Sequence, residues 1–166
     1  MDSYDRLLML AHELGADSAK VIDPATVVTA PWPAIKCQFG CQKYGTCAIC
    51  PPRTPKYTET REILNCYHKA ILFRCHREEE PSPIAAELER QAFLSGFYKA
   101  LGFGGGPCHV CKKCNPDKCN FPAKSAPSME SCGVDVFATV RANGYEINTI
   151  REKDEPQNYF GLLLLE

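Results

Sequence analysis

Four thiols within the run Cys108-His109-Val110-Cys111-Lys112-Lys113-Cys114-Asn115-Pro116-Asp117-Lys118-Cys119 constrain this chain more than any other feature of its sequence. Three cysteines at two-residue gaps and a fourth after four residues can wrap a compact inorganic core, because each short turn aims one sulfur at a different corner. The bacterial ferredoxin run is C-x2-C-x2-C-x3-C-P. Here the last gap is one residue longer and the proline is delayed to Pro122. The spacing points to an iron–sulfur cluster held by Cys108, Cys111, Cys114 and Cys119. Zinc is the alternative, but structural zinc sites usually take two C-x2-C pairs separated by an intervening loop. So dense a set of thiolates suits a larger core better.

A second group, Cys37, Cys41, Cys47 and Cys50, precedes Pro51-Pro52. Its gaps of three, five and two fit no single metal signature. Cys47-Ala48-Ile49-Cys50 could be a redox dithiol, since C-x-x-C lowers a thiol pKa. A thioredoxin-like dithiol opens a helix, however, whereas Pro51, Pro52 and Pro55 make the following residues extended and loop-like. A second metal site is the expectation. Cys132 is the candidate remote ligand if this group supplies only three thiols.

Charge placement favours both sites. Residues 36–56 carry Lys36, Lys43, Arg53 and Lys56 with no acid, and residues 108–124 carry four lysines against Asp117, although the net charge is only −1. Cations and backbone amides stabilise the negative centre that four thiolates create and raise its potential. The basic runs are too short, and their aromatic interleaving too sparse, for nucleic-acid binding. The 166 residues, 45% hydrophobic and 23% charged, suit one globular domain.

Eleven cysteines are many for a chain whose start is acidic and amphipathic rather than secretory in pattern. A cytoplasmic protein is therefore expected, where clustered cysteine signals metal or redox chemistry more than disulfides. No apolar run approaches the roughly 18 residues of a membrane span.

Hydrophobic periodicity predicts helices from Leu7 to Leu14, from Thr58 to Tyr67, over 83–101, and from Phe137 to Ala142. Strands are predicted at Ala19–Ile22, Thr26–Thr29, Lys69–Cys75 and along the apolar ending Asn158–Leu165. Gly15 and Asn143-Gly144 are stops, and Ser128 is an N-cap. Pro31-Trp32-Pro33 reads as a link to Cys37, with Trp32 at a core edge. Isolated Cys66 and Cys75 read as small buried side chains, and His12, His68, His76 and His109 as surface residues. The run Gly102–Gly106 permits positive φ and close backbone approach. It matches neither phosphate-loop nor dinucleotide fingerprints.

Lys36-Cys37-Gln38-Phe39-Gly40-Cys41, Cys50-Pro51-Pro52, Gly104-Gly105-Gly106-Pro107-Cys108 and Pro127-Ser128-Met129-Glu130 together resemble an uncharacterised, cysteine-rich family of predicted metal-binding proteins common in anaerobic bacteria and archaea. The resemblance runs from Cys37 to the C-terminal strand. It implies iron–sulfur binding in a cytosolic protein, with the thiols matching Cys37, Cys41 and Cys50 central to the first block. Cys47 falls where other members often carry another residue, which raises Cys132 as the fourth ligand.

The sequence thus predicts an α/β or α+β domain with alternating helices and strands and two cysteine-rich loops. One or two [4Fe–4S] clusters would transfer single electrons to a partner protein. An iron–sulfur enzyme with an open iron site and a zinc-binding structural or metal-delivery protein are the alternatives.

Overall fold

Ala70–Cys75 (β2) is apolar at every position but Arg74, the pattern of a strand covered on both faces. A computed structural model describing residues 2–166 bears this out. The sheet is wholly antiparallel, in the order β1 (Ser18–Ile22), β2, β4 (Tyr159–Leu164), β3 (Leu101–Phe103). Together with five α-helices among the described residues, this makes the fold α+β. Alternation along β2 sorts its side chains. Ile71, Phe73 and Cys75 face α1 (Ser3–Glu13) and α4 (Pro81–Leu94), burying Leu7, Ala11, Ile84, Ala85 and Leu88. Ala70 and Leu72 face the other layer, with Leu64 of α3 (Tyr57–Leu64), Val140 of α5 (Val136–Ala142), and Met129 and Cys132 between them. That second layer carries the upstream cysteines, on and after α2 (Trp32–Gly40).

Local chemistry sets the helix ends. Asp2 caps α1 by accepting from the Asp5 amide at 2.8 Å, and Asp135 caps α5 by accepting from the Ala138 amide at 2.9 Å. Gly15, at φ +117°, turns the chain after α1 as expected.

Several sequence expectations are corrected. The helix predicted over 83–101 stops at Leu94, because Gly96 takes φ +103° and the Ser95 hydroxyl bonds back to the Gln91 carbonyl at 2.8 Å. The aromatic stripe is therefore broken: Phe93 and Tyr98 are exposed, Phe97 packs under α1, and Leu101 belongs to β3. In place of a strand at Thr26–Thr29, Asp23 caps a short 3-10 turn, Pro24–Thr26, and Thr29 alone pairs, with Val134. The link Pro31-Trp32-Pro33 opens α2, since prolines are tolerated in a first helical turn. Trp32 is exposed and not at a core edge, and Cys66 is exposed too. Of the residues in the Gly102–Gly106 run only Gly106 needs positive φ. A Cβ at Gly105 would stand 2.6 Å from the Phe160 carbonyl oxygen, so close approach explains that glycine.

Candidate metal centre

The upstream thiols are gathered by a helix and a chain of turns. Cys37 and Cys41 lie four residues apart at the end of α2, where such residues share a face. Successive turns, with Tyr44 N–H to Cys41 C=O at 3.1 Å and Cys50 N–H to Cys47 C=O at 3.1 Å, then fold the segment back. The Thr54 hydroxyl ties its end to the Ser131 carbonyl at 2.6 Å, and the buried Thr60 hydroxyl reaches the Cys132 carbonyl at 2.6 Å. Both bonds grip the 3-10 turn Glu130–Cys132, against which α2 also packs. The sequence expected Ser128 as an N-cap, but the cap position of this turn is Met129, with no side-chain cap; the Ser128 hydroxyl instead accepts from the Ser131 amide at 3.1 Å. Cys132 is fully buried in the core, on the turn facing Cys37.

The downstream thiols lie on an irregular loop. Cys108, Cys111, Cys114 and Cys119 line one small cavity together with Cys47 of the other group. The Cys47 and Cys114 sulfurs are 3.6 Å apart. Cys119 Sγ is 3.3 Å from the Ser125 hydroxyl, and the Asn120 amide donates to Cys111 Sγ at 3.9 Å. Arg53 joins the loops, donating to the Gly45 carbonyl at 3.0 Å and pairing with Asp117 at 3.6 Å. The sequence grouped Cys47 with Cys37, Cys41 and Cys50, but the folded chain sets it against the downstream group.

Electrostatics hold Cys37, Cys47, Cys50 and Cys132 towards the protonated state without a cation. Burial pushes Cys47 up to about 12, reinforced by Cys114 and Cys50, and raises Cys132 to about 11, reinforced by Glu130 and Cys37. Burial also raises Cys37, with Glu130, Cys41 and Cys50 adding repulsion. For Cys50, burial and the nearby Cys41 and Cys114 outweigh its contact with Cys47. Each charge is felt by the next, so the two groups form one chain of interacting sulfurs. A bound cation reverses the preference, because thiolate is the ligand form.

The donor set fits a thiophilic metal or cluster. Among the described residues, though, no three His, Cys, Asp or Glu side chains are disposed around a common point as a bound ion requires. The thiols are gathered without being fixed in a coordination geometry.

Glu130 is the residue that sequence reasoning missed as part of the site. Its Oε2 is buried without a hydrogen-bond partner. Burial raises its carboxyl, against the opposing pull of its own amide, the Ser128 hydroxyl and the Gly106 amide. The Pro127-Ser128-Met129-Glu130 motif contained it, but only the folded chain sets it beside Cys37. Cys37, Cys41 and Glu130 are among the residues lining a cavity of about 920 Å3. Trp32, Phe137, Ile147 and Tyr159 line it too.

No helix among the described residues is long and apolar enough to cross a membrane. No curated protein and no solved structure has detectable similarity to the chain. A family profile does match it, over residues 20–165, spanning both cysteine groups, the Glu130–Cys132 turn and the sheet. The chain belongs to the DUF2284 family of predicted metal-binding proteins.

Proposed function

We propose that this is an iron–sulfur protein holding one or two [4Fe–4S] clusters and exchanging single electrons with a partner protein. The observation that carries the reading is the convergence of five thiols, Cys47, Cys108, Cys111, Cys114 and Cys119, on one small cavity. Cys108, Cys111, Cys114 and Cys119 would hold the downstream cluster, in keeping with their near-ferredoxin spacing. Cys37, Cys41 and Cys50 would hold the upstream one, with Cys132 as fourth ligand. Such clusters supply one-electron chemistry at potentials set by ligands, charge and solvent exposure.

The chain's own contributions follow from its geometry. Cys132 is buried and Cys47 and Cys50 are half-buried, which keeps water from part of each group. Lysines along both loops offset the thiolate charge, which raises a cluster's potential. The 3.6 Å approach of Cys47 to Cys114 brings the groups close enough for electrons to pass between them. Phe39, 78% exposed between Cys37 and Cys41, and Phe121, exposed beyond Cys119, offer apolar contacts to a redox partner beside each group. A reducing cytoplasm would keep so many thiols available as ligands.

Anaerobic purification tests the proposal. Two clusters give about eight irons and as many acid-labile sulfides per chain, with a paramagnetic signal on reduction. Stoichiometric zinc without iron or sulfide would establish the zinc-binding alternative instead.

A further inference from the structure

Five thiols line the downstream cavity, one more than a cluster bound by four cysteines uses. Cys108, Cys111, Cys114 and Cys119 account for four, and Cys47 is left over. Of the upstream thiols it alone lines this cavity, whereas Cys37 and Cys41 line the large one. It meets the downstream group at Cys114, with the two sulfurs 3.6 Å apart.

The chain holds Cys47 in that seat from both sides. Before it, the Thr46 hydroxyl and amide both donate to the Lys43 carbonyl, at 2.7 and 3.1 Å. After it, the Cys50 amide donates to the Cys47 carbonyl at 3.1 Å. Arg53 then clasps the two loops where the sulfurs meet, reaching the Gly45 carbonyl at 3.0 Å and the Asp117 carboxylate at 3.6 Å. A metal–thiolate bond is about 2.3 Å long, as in zinc sites. The two sulfurs are closer than twice that length, so a metal atom bonded to one comes within reach of the other after a small side-chain movement. An iron at a cluster corner already carries three inorganic sulfides and takes one thiolate. Two cysteines at such a corner are therefore alternatives rather than joint ligands.

We propose that Cys47 and Cys114 are interchangeable ligands for one position of the downstream centre. In the exchange the metal–Cys114 bond breaks, the metal–Cys47 bond forms, and the proton of the Cys47 thiol passes to Cys114, so charge and electron count are unchanged. The position would then be held from the upstream loop instead of the downstream one, linking the two cysteine groups through the metal. The proposal rests on the assignment of Cys108, Cys111, Cys114 and Cys119 to one centre.

Iron, zinc and acid-labile sulfide, measured on anaerobically purified wild type, Cys47→Ala, Cys114→Ala and the double variant, test it. Cys108→Ala, whose position has no stand-in, serves as the reference for loss of the centre. Both single variants should match wild type, while the double variant and Cys108→Ala should each lose the downstream centre, about four irons and four sulfides per chain. If the double variant does not fold, iodoacetamide labelling followed by peptide mass spectrometry gives the second readout. Cys47 should then be alkylated more slowly in metal-loaded Cys114→Ala than in metal-loaded wild type. Loss of the centre in either single variant, its retention in the double variant or in Cys108→Ala, or labelling of Cys47 that is no slower in Cys114→Ala overturns the exchange while leaving the iron–sulfur reading intact. A wild type that holds zinc without sulfide sinks the iron–sulfur reading, and the same variants compared by zinc content then uphold or overturn the exchange.

Discussion

Gly133 immediately follows Cys132 and ends the turn that bears Glu130, which makes Gly133→Ala a direct probe of how that turn is held. Gly133 has φ +77°, and its carbonyl accepts from the Ala30 amide at 2.9 Å. The left-handed backbone costs an alanine roughly 1–2 kcal/mol. A second cost arises because the new Cβ would stand 2.5 Å from Tyr57 Cβ and 2.8 Å from Tyr57 Cα, at the start of α3. Backbone cannot swing aside as a side chain can, so this contact adds the roughly 1–3 kcal/mol typical of overpacking. The total is about 2–5 kcal/mol, a fall in Tm of roughly 4–20 °C for a chain of this size. Gly144→Ala separates the two costs. Gly144 has nearly the same φ, +78°, but its Cβ would meet only the flexible Lys20 ammonium at an ordinary 3.6 Å. It should therefore lose only the backbone component. Urea unfolding of both variants, at matched metal content, measures the difference. Because Gly133 positions Cys132, its variant should also bind less metal than the Gly144 one. Equal destabilisation by the two substitutions would refute the argument that Tyr57 confines this turn.

Three further predictions concern the thiols and the sheet. Oxidation of metal-free protein by diamide should form a Cys47–Cys114 disulfide, because a closure from 3.6 Å needs little movement; peptide mass spectrometry that found Cys47 paired only with Cys37 or Cys41 would contradict the geometry. Burial, aided by Glu80 and Asp17, raises Cys75 from 9.0 to about 12. Its contribution is therefore full below pH 9 and declines as pH rises from 9 towards 12, where the unfolded thiol ionises first; the urea midpoint of metal-free protein should fall across that window, and less so for Cys75→Val. Phe73 and Gly161 are cross-strand partners in β2 and β4, and a Cβ at Gly161 would overlap the Phe73 ring. Phe73→Ala should cost about 3–5 kcal/mol, and the penalty of Gly161→Ala should shrink in that background, a coupling that a double-mutant cycle by urea unfolding would detect or exclude.

Much of the fold was legible because local patterns agreed with the tertiary outcome. The continuous apolar runs of β2 and β4 have one structural solution in a chain this size, burial in the middle of a sheet, and that is where they lie. The α1 stop at Gly15 and the Asn143-Gly144 ending of α5 followed from backbone preferences that tertiary contacts did not override. The helix over 83–101 was overextended because Phe93, Phe97 and Leu101 keep a four-residue period. Periodicity does not register that Ser95-Gly96 can turn the chain, leaving Phe93 in solvent. Similarly, the prolines around Trp32 read as a link, although the same residues can begin a helix.

For the site, sequence spacing alone determined that two groups of cysteines exist and that the downstream four can act together, because residues a few positions apart must stay near one another. Only the tertiary structure decided which distant groups meet. Packing of α2 against the Glu130–Cys132 turn brought a buried carboxylate to Cys37, and the turns after Cys41 carried Cys47 to Cys114, 67 residues on. Those partners are set by burial of the β2 and β4 faces and by hydrogen bonds such as Thr54 and Thr60 to the turn, long-range terms that local spacing does not contain.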